Sequence, residues 1–247
     1  MRTILIAGLG LIGGSAGMAL RRRGWYVRFV DPKVSIEEAR AGSAADERVE
    51  AIGDDEELVL LATPVDVAVD QLRTTRAFTT SACSVMRPLR AVRSEHFVAG
   101  HPMAGTEEHG IGAAQANLFA GKPWFVDGDD ERVDAMIADC GAVRVRVESA
   151  EEHDAGVALT SHLPQVLSTA LAAYLHERPE VLRFAGTGLS TFLRLASSSA
   201  HVWAPVLEAN RDQIEPHADA VAEIVRRILA GDGERIFRDA QELRTRL

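Results

Sequence analysis

Residues 2–31 read RTILIAGLGLIGGSAGMALRRRGWYVRFVD, and this stretch decides the fold. Residues 3–7 are a short, continuous apolar run, which is typical of a parallel strand buried on both faces. Residues 16–23 have a helical pattern, and residues 27–30 predict a second strand. Strand, helix and strand in this order predict a βαβ unit.

Three glycines join the first strand to the helix. Gly8, Gly10 and Gly13 have the spacing G-x-G-x-x-G, in which the first permits a tight turn, the second lets the backbone approach a pyrophosphate, and the third lets helix and strand pack closely. The helix N-terminus then presents free N–H groups to the phosphates. The motif predicts a dinucleotide site that includes Leu11 and Ile12, and a purely structural glycine turn is the alternative.

Asp31 ends the second predicted strand and is placed there to accept hydrogen bonds from a ribose. A carboxylate at this position repels a 2′-phosphate, so the sequence favours NAD over NADP. Lys33 lies close enough to weaken that preference. The alternative role of Asp31 is a strand-end cap formed with Pro32.

Strands and helices continue to alternate as far as residue 147, which predicts a doubly wound α/β domain over residues 1–148. Thr63 and Pro64 stop a buried strand at its carboxyl end, so they belong to the predicted cofactor site. Further strands are predicted at residues 58–66 (stopped at Thr63), 78–85, 96–99, 122–127 and 142–147, and helices at residues 65–72, 87–93 and 130–139.

The pattern becomes entirely helical over residues 149–247, the second predicted domain. Pro164 interrupts the first long helix, and further helices are predicted at residues 189–197, 200–210, 214–229 and 234–247. A bundle so rich in Ala, Leu and Val often buries surface against a partner, so we expect a homodimer through this half. A monomeric helical cap is the alternative.

The composition excludes several classes of function. The 247 residues are 47% hydrophobic and 26% charged, as in folded globular proteins. A net charge of −9 provides no basic surface for nucleic acid. Two cysteines, Cys83 and Cys140, are too few for a disulfide framework and indicate a reducing cytoplasm. We predict no signal peptide, no membrane span and no metal site.

The segment AGHPMAGTEEHG, residues 99–110, carries the first candidate for chemistry. His101 follows the predicted strand 96–99, and Pro102 forces it into an extended conformation. It therefore lies at the carboxyl edge of the sheet, where doubly wound domains bind ligands. A histidine beside a nicotinamide suits proton transfer coupled to hydride transfer. A loop histidine that only caps a turn is the alternative.

Several motifs in this order resemble the prephenate/arogenate dehydrogenases of tyrosine biosynthesis. The motifs are GLGLIGGS, LATPVD, GHPMAGTE with LFAGKPWFV, EEHDAGVALTSHLPQ, and AGTGLSTFLRLASSSAHVW with ANRDQI. The resemblance covers nearly the whole chain. It implies a Rossmann-type NAD-binding domain followed by an all-helical dimerisation domain, and it implies oxidative decarboxylation of a cyclohexadienol with hydride transfer to NAD.

The resemblance also implies roles for individual residues. His101 matches the histidine that accepts the proton of the substrate 4-hydroxyl, and Ser84 matches a serine that hydrogen-bonds the same hydroxyl. Arg194 matches the arginine that binds a substrate carboxylate, for which a planar guanidinium provides two parallel hydrogen bonds. A solvent-exposed helix arginine is the alternative for Arg194.

Other residues match the substrate pocket of the family. Ser161 and His162 match a lining segment, although His162 could equally be a packing histidine. Glu107 matches an acidic gate, with a solvated loop charge as the alternative. Trp203 matches a tryptophan near the pocket, but we expect it in the core. We expect surface positions for Glu108, His109 and His153.

The chain departs from the family pattern at three places. Gln165 stands where many prephenate-specific members carry histidine, opposite the substrate side chain, so the choice between prephenate and arogenate stays open. Ser81 and Met86 replace the usual aspartate and lysine near the cofactor. Thr187 is the centre of an altered glycine triplet, residues 186–188, near the pocket.

Two other functions are consistent with these departures. One is a dehydrogenase of secondary metabolism that acts on a substrate like 4-amino-4-deoxyprephenate, which keeps the chemistry and changes the group next to His101. The other is an NAD-binding dimer without activity. Retention of both His101 and Arg194 argues against the inactive dimer.

Overall fold

The stretch that opens the sequence forms the centre of a parallel sheet. The structure, a computed structural model, describes residues 1–93, 95–106 and 108–246. The sheet has six strands, which are β1 (Thr3–Ala7), β2 (Tyr26–Val30), β3 (Glu47–Arg48), β4 (Val59–Leu61), β5 (Thr79–Ser81) and β6 (Phe97–Val98). Their order is β3-β2-β1-β4-β5-β6, and all pairs are parallel.

Helices connect these parallel strands, as crossover connections require. They are α1 (Leu11–Arg22), α2 (Ile36–Ala41), α3 (Val65–Thr74) and α4 (Arg87–Arg90). The strand order reverses between β1 and β4, which is the switch point where such sheets bind dinucleotides. The predicted Rossmann-type parallel sheet is therefore confirmed.

A second, smaller sheet follows, and the sequence did not predict it. It contains β7 (Gly100–Pro102), β8 (Pro123–Val126) and β9 (Val143–Arg146), with a 3₁₀ turn at Ile111–Ala113 and α5 (Glu131–Asp139) between them. In β7, His101 lies opposite Phe125 of β8 in an antiparallel pair. The expectation that His101 leaves the end of a parallel strand is wrong, because β6 ends at Val98 and His101 lies inside a strand of the second sheet.

The described residues after β9 are helical, with irregular turns between the helices. They form α6 (Ala150–Val157), a π-helix (Ala158–His162), α7 (Leu163–His176), a 3₁₀ helix (Pro179–Phe184), α8 (Thr187–Phe192), a 3₁₀ helix (Leu193–Ser197), α9 (Ala200–Ala209), α10 (Arg211–Arg227), a π-helix (Ile228–Asp232) and α11 (Gly233–Arg244). Pro164 does not break the helix. It follows the π-helix directly, and the wider turn there accommodates a residue without an N–H group.

Side chains of β1 point alternately to two apolar cores, one on each face of the sheet. Ile4 and Ile6 belong to the first core, whereas Leu5 and Ala7 belong to the second. The second core also contains Val206 of α9, so the helical half packs directly on the sheet. In the described residues, no helix combines the length and apolar character needed to cross a bilayer.

Candidate active site

The glycine turn after β1 has the shape that a bound dinucleotide requires. Gly8 has φ of 89°, a left-handed conformation that suits glycine. A Cβ atom at Gly13 would lie 1.9 Å from the carbonyl oxygen of Gly8, so α1 passes β1 too closely for a side chain. A Cβ atom at Gly10 would meet nothing within 4 Å. The space beside Gly10 is therefore open to a pyrophosphate.

The Asp31 carboxylate supports the same turn. One of its oxygens accepts a hydrogen bond from the backbone N of Leu9 at 2.8 Å, and the other accepts one from the backbone N of Lys33 at 2.7 Å. Asp31 thus forms the strand-end cap that was one of its two predicted roles. Each carboxylate oxygen has a second lone pair, so the cap leaves acceptor capacity for a ribose hydroxyl.

A cavity of about 450 Å³ opens at the carboxyl edge of the sheet. Loops after β1, β4, β5 and β7 form one side, and the start of α9 forms the other. Six of the predicted site residues line it, which are Gly10, Leu11, Ile12, Thr63, Pro64 and Ser84. The loop after β7 and the helical half add residues that include Thr106, His109, Ser199, His201, Val202, Trp203 and Val206.

His101 is buried, with 8% of its surface exposed. The residues that follow it, Ala104 to Thr106, belong to the cavity lining. Its Nδ1 atom lies 2.9 Å from Nε2 of His153, and the two rings meet edge to face. Burial lowers the pKa of His101 well below its usual value, and the nearby His153 and His162 lower it further. His101 is therefore neutral at physiological pH and can accept a proton.

Asp154 continues the chain of hydrogen bonds behind His101. Its Oδ1 lies 2.7 Å from Nδ1 of His153 and also accepts the backbone N–H of Met86 at 2.8 Å. Its Oδ2 accepts the backbone N–H of Arg87 at 2.9 Å. The Asp154 side chain is fully buried, and the Arg87 guanidinium lies 3.4 Å away as its counter-ion. This set of donors fixes the position of the carboxylate.

The two positions that depart from the family pattern near the cofactor have structural roles here. The Ser81 hydroxyl donates to the carbonyl oxygen of Gly100 and accepts from the backbone N of Gly100, both at 3.1 Å. Ser81 thereby ties β5 to the strand that carries His101. Met86 is a buried core residue whose backbone N–H binds Asp154. Neither departure opens a gap.

His162 lies in the π-helix and is completely buried. Asn210 Nδ2 donates to Nδ1 of His162 at 3.1 Å and to the backbone oxygen of Asp154 at 2.8 Å. The ring of His162 meets the edge of Trp203, which lines the cavity. Burial lowers the pKa of His162 to about 4, against a smaller opposing effect of the Asp154 charge. Within the described residues, its Nε2 atom has no hydrogen-bond partner.

Gln165 is buried on α7, one turn beyond the half-buried Ser161 of the π-helix. Its Nε2 atom donates to the backbone oxygen of Leu195 at 2.9 Å and to Oγ1 of Thr169 at 3.0 Å. Because the Leu195 carbonyl can only accept, the amide orientation is settled. The Oε1 atom of Gln165 is buried without a hydrogen-bond partner in the described part of the chain.

Three predicted substrate residues lie apart from this group or outside the described residues. Arg194 is exposed in the 3₁₀ helix after α8, and Thr187 is exposed at the first position of α8. Neither belongs to the described lining of the cavity. Glu107 lies outside the described residues.

The structure corrects the expected positions of His153 and Trp203, and it adds a cavity contact to the expected exposure of His109. His153 is not a surface group, since only 4% of it is exposed. Trp203 is half-buried at the cavity wall as well as against the core. Glu108 and His109 are exposed as expected, but His109 lines the cavity mouth.

His153, Asp154 and Asn210 are the site residues that the sequence reasoning missed. A helical signal could have identified the first two, because His153 and Asp154 lie three and four positions after Ala150, on the face that Val157 also shares. All four residues are buried. Nothing local marks Asn210. Among the described residues, no group of three or more His, Cys, Asp or Glu side chains could hold a metal ion.

Two protein-family models match the chain. Residues 16–145 match the nucleotide-binding domain of prephenate dehydrogenase, and residues 149–241 match the prephenate dehydrogenase dimerization domain. A probable prephenate dehydrogenase, NovF, of Streptomyces niveus is 33% identical over 94% of this chain and 71% of that protein. The prephenate dehydrogenase of Bacillus subtilis (strain 168) is 29% identical over 96% of this chain and 72% of that protein.

A solved structure has the same overall fold. It is prephenate dehydrogenase from Aquifex aeolicus in complex with hydroxyphenyl propionate and NAD+, with a TM-score of 0.84 and 26% sequence identity. The alignment covers 100% of this chain and 97% of that chain.

Proposed function

The chain belongs to the prephenate dehydrogenase family, and we propose that it oxidatively decarboxylates prephenate or arogenate. The family matches confirm the resemblance seen in the sequence. They also confirm the prediction that the protein is an oxidoreductase that uses NAD. Either substrate loses its ring carboxylate as CO2 and becomes aromatic. Aromatisation drives the reaction, so the protein has to position the substrate and polarise its 4-hydroxyl.

The glycine turn and its neighbours are the residues that would hold NAD. We assign the phosphates to the turn formed by Gly8, Gly10 and Gly13 and to the N-terminus of α1, and a ribose to Asp31. The lining residues Leu11, Ile12, Thr63 and Pro64 would enclose the rest of the cofactor. When bound, NAD supplies the acceptor for the hydride that leaves substrate C4.

The observation that carries this proposal is a neutral, buried histidine on the segment that leads into the cavity lining. Hydrogen bonding occupies Nδ1 of His101, which leaves Nε2 to accept the proton of the substrate 4-hydroxyl. Burial keeps the pKa of His101 low, so the base is unprotonated before the reaction. Ser84, on the cavity wall, would hydrogen-bond the same hydroxyl.

The substrate carboxylates need cations in a protein with a net charge of −9. We assign one carboxylate to Arg194 on its match to the family motif. Arg194 is exposed in this chain, so the guanidinium is free to turn toward a ligand. The remaining proposed substrate contacts are Ser161, His162, Gln165, Glu107 and Thr187, from the same motifs.

The Gln165 side chain favours an amine on the substrate. Its Nε2 donors are already used, so Oε1 is what it can still offer to a ligand. A buried, unpaired acceptor stabilises an ammonium and does nothing for a keto group, which is itself an acceptor. This favours arogenate, with its amino-acid side chain, over prephenate, with its keto-acid side chain.

Absorbance of NADH measured with each substrate in turn tests this proposal. Arogenate, prephenate and 4-amino-4-deoxyprephenate are supplied at equal concentrations, with NAD and then NADP. We expect turnover with NAD and the highest kcat/KM for arogenate. A higher kcat/KM for prephenate would contradict the role of Gln165. NAD binding without turnover of any of the three would leave the inactive dimer as the explanation.

We also propose a homodimer formed through the helical half. Large apolar side chains are exposed there, among them Phe184 at 76%, Leu229 at 83% and Phe237 at 61%. The division into residues 1–148 and 149–247 fits this arrangement, with catalysis between the two parts. Light scattering should give twice the monomer mass.

The buried, free Cys83 and Cys140 suit our proposal that the enzyme works in the cytoplasm.

A further inference from the structure

We propose that His153 and Asp154 are positioning residues that hold His101 in one tautomer and share its proton, an inference that rests on the proposed function for the source of that proton. The three side chains form one continuous hydrogen-bonded line from β7 into α6. Each of them is at least nine-tenths buried.

The line begins with a carboxylate whose two oxygens both accept hydrogen bonds from the backbone. Asp154 accepts the backbone N–H groups of Met86 and Arg87, and the Arg87 guanidinium lies 3.4 Å from its Oδ2. Asp154 is therefore an acceptor only, and the hydrogen atom in its 2.7 Å contact with His153 belongs to Nδ1 of His153.

The rest of the line follows from that assignment. A neutral His153 with its proton on Nδ1 has a bare Nε2, which accepts a hydrogen bond. The hydrogen atom in the 2.9 Å contact between the two histidines must then belong to Nδ1 of His101. His101 is left with a bare Nε2, the tautomer that a base for the substrate hydroxyl requires.

The same line can divide the charge that the reaction creates. When Nε2 of His101 takes the hydroxyl proton, the proton on Nδ1 can pass to Nε2 of His153. His101 is then neutral again, and His153 is an imidazolium that donates from Nδ1 to the Asp154 carboxylate. The electron pair of the O–H bond stays on the substrate oxygen. The hydride leaves substrate C4 for NAD in the proposed reaction, so no further reactant is needed.

Among the described residues, a few other ionisable groups lie near this line. His162, on the π-helix, opposes protonation of His101, and the Arg87 guanidinium, on α4, lies 3.4 Å from Asp154. Asp212, on α10, pairs with Arg87 at 2.7 Å and so withdraws that positive charge. From β8, Phe125 covers His153 with an uncharged ring. Within the described part of the chain, Asp154 is thus the anion that contacts the histidine pair directly.

The decisive variant is His153→Gln, because it separates orientation from proton sharing. The carbonyl oxygen of glutamine can occupy the position of the imidazole Nε2 and accept from His101, but it takes up no proton. Asp154→Asn removes the anion and keeps His153, although it also weakens the cap on Met86 and Arg87. His176→Gln, an exposed histidine on α7, is the matched control.

We expect His153→Gln and Asp154→Asn to lower kcat by roughly 10- to 100-fold, less than the loss of the base itself. Asp154→Asn removes the anion that stabilises the protonated pair, so the pKa of the pair falls. The acid limb of the kcat/KM profile of Asp154→Asn should therefore move to lower pH, by roughly one unit. The control should change neither kcat nor the acid limb. A lower kcat in both variants with an unmoved acid limb in Asp154→Asn would mean that the two residues only fill space, and it would overturn the proposal.

A second measurement does not depend on turnover. Long-range ¹H–¹⁵N spectra of the histidine-labelled apo protein report which ring nitrogen carries the proton. We expect the Nδ1–H form for both His101 and His153. An Nε2–H form for His101 would refute the line of hydrogen bonds, whatever the substrate is. If no substrate is turned over and both Nδ1–H forms are found, the proposed function fails and the tautomer assignment stands.

Discussion

Gly10 and Gly13 are three residues apart in one turn, yet alanine should damage the protein differently at each. At Gly13, the new methyl carbon would lie 1.9 Å from the Gly8 carbonyl oxygen and 2.9 Å from Cγ2 of Ile6. Restoring a contact of about 3 Å requires α1 and β1 to separate by roughly 1 Å. Overpacking of this kind costs about 1–3 kcal/mol, which lowers the melting temperature by roughly 2–12 °C.

At Gly10, the methyl group meets no protein atom within 4 Å, and the backbone φ of −78° suits alanine. The stability should therefore change by less than about 1 kcal/mol, mainly through the weaker helix cap. The methyl group would instead occupy the space of the pyrophosphate. Loss of one hydrogen bond to a charged group costs about 1.5–3 kcal/mol, so NAD should bind roughly 10- to 150-fold more weakly.

Thermal unfolding and NAD titration by calorimetry measure the two effects separately. Gly156→Ala is the matched control, since that glycine is exposed in α6 and a Cβ atom there meets nothing within 4 Å. It should leave NAD binding unchanged and keep or raise the melting temperature. Wild-type NAD affinity in Gly10→Ala would refute the assignment of this turn to the pyrophosphate. An unchanged melting temperature in Gly13→Ala would refute the close packing of α1 on β1.

Four further predictions concern single side chains. His101→Asn should lower kcat by roughly 10²- to 10⁴-fold in the NADH assay, and an unchanged kcat would exclude it as the base. Arg194→Ala should mainly raise KM, because a carboxylate is bound equally in the ground and transition states; an unaltered KM would remove Arg194 from the site. Asp31→Ser should raise the ratio of NADP to NAD affinity in calorimetry, and a constant ratio would contradict its role in cofactor choice. His162 has a pKa of about 4 in the folded protein, below its value in the unfolded chain. The free energy of unfolding, measured with urea, should therefore fall as pH decreases from about 6.5 to 4. His162→Gln should make this free energy depend less on pH.

Local sequence was sufficient where neighbouring residues determine the structure. The limits of β1, predicted as residues 3–7, depend on contacts within a few residues, and the structure has the same limits. The start of α1 was predicted five residues late, at residue 16 instead of Leu11. Glycine has a low helix propensity, but here Gly13 and Gly17 permit close packing, and tertiary contacts override the propensity.

Long-range pairing was beyond the reach of the same reasoning. The strand that carries His101 forms because Gly100 pairs with Val126 and is tied to Ser81, and both partners are remote in sequence. In the same way, His153 follows two glutamates and was expected at the surface. The fold places it against His101 instead. The helical spacing indicates that His153 is buried, but its contact with His101, 52 residues away, is recorded in no local pattern.

The Asp154 carboxylate connects the two halves of the molecule. It is also the end of the hydrogen-bonded line that contains His153 and His101. It caps α4 of the nucleotide-binding half through two backbone N–H groups, and its own backbone oxygen accepts from Asn210 of the helical half. Arg87 makes a second connection between the halves, since its guanidinium donates hydrogen bonds to both Asn210 and Asp212. A shift of the helical half on the sheet would therefore move Asp154, and with it the imidazole that orients His101. Arg87→Met should then reduce kcat through a misplaced base while NAD affinity stays constant, and a loss of NAD affinity of the same size would show that this contact serves folding alone.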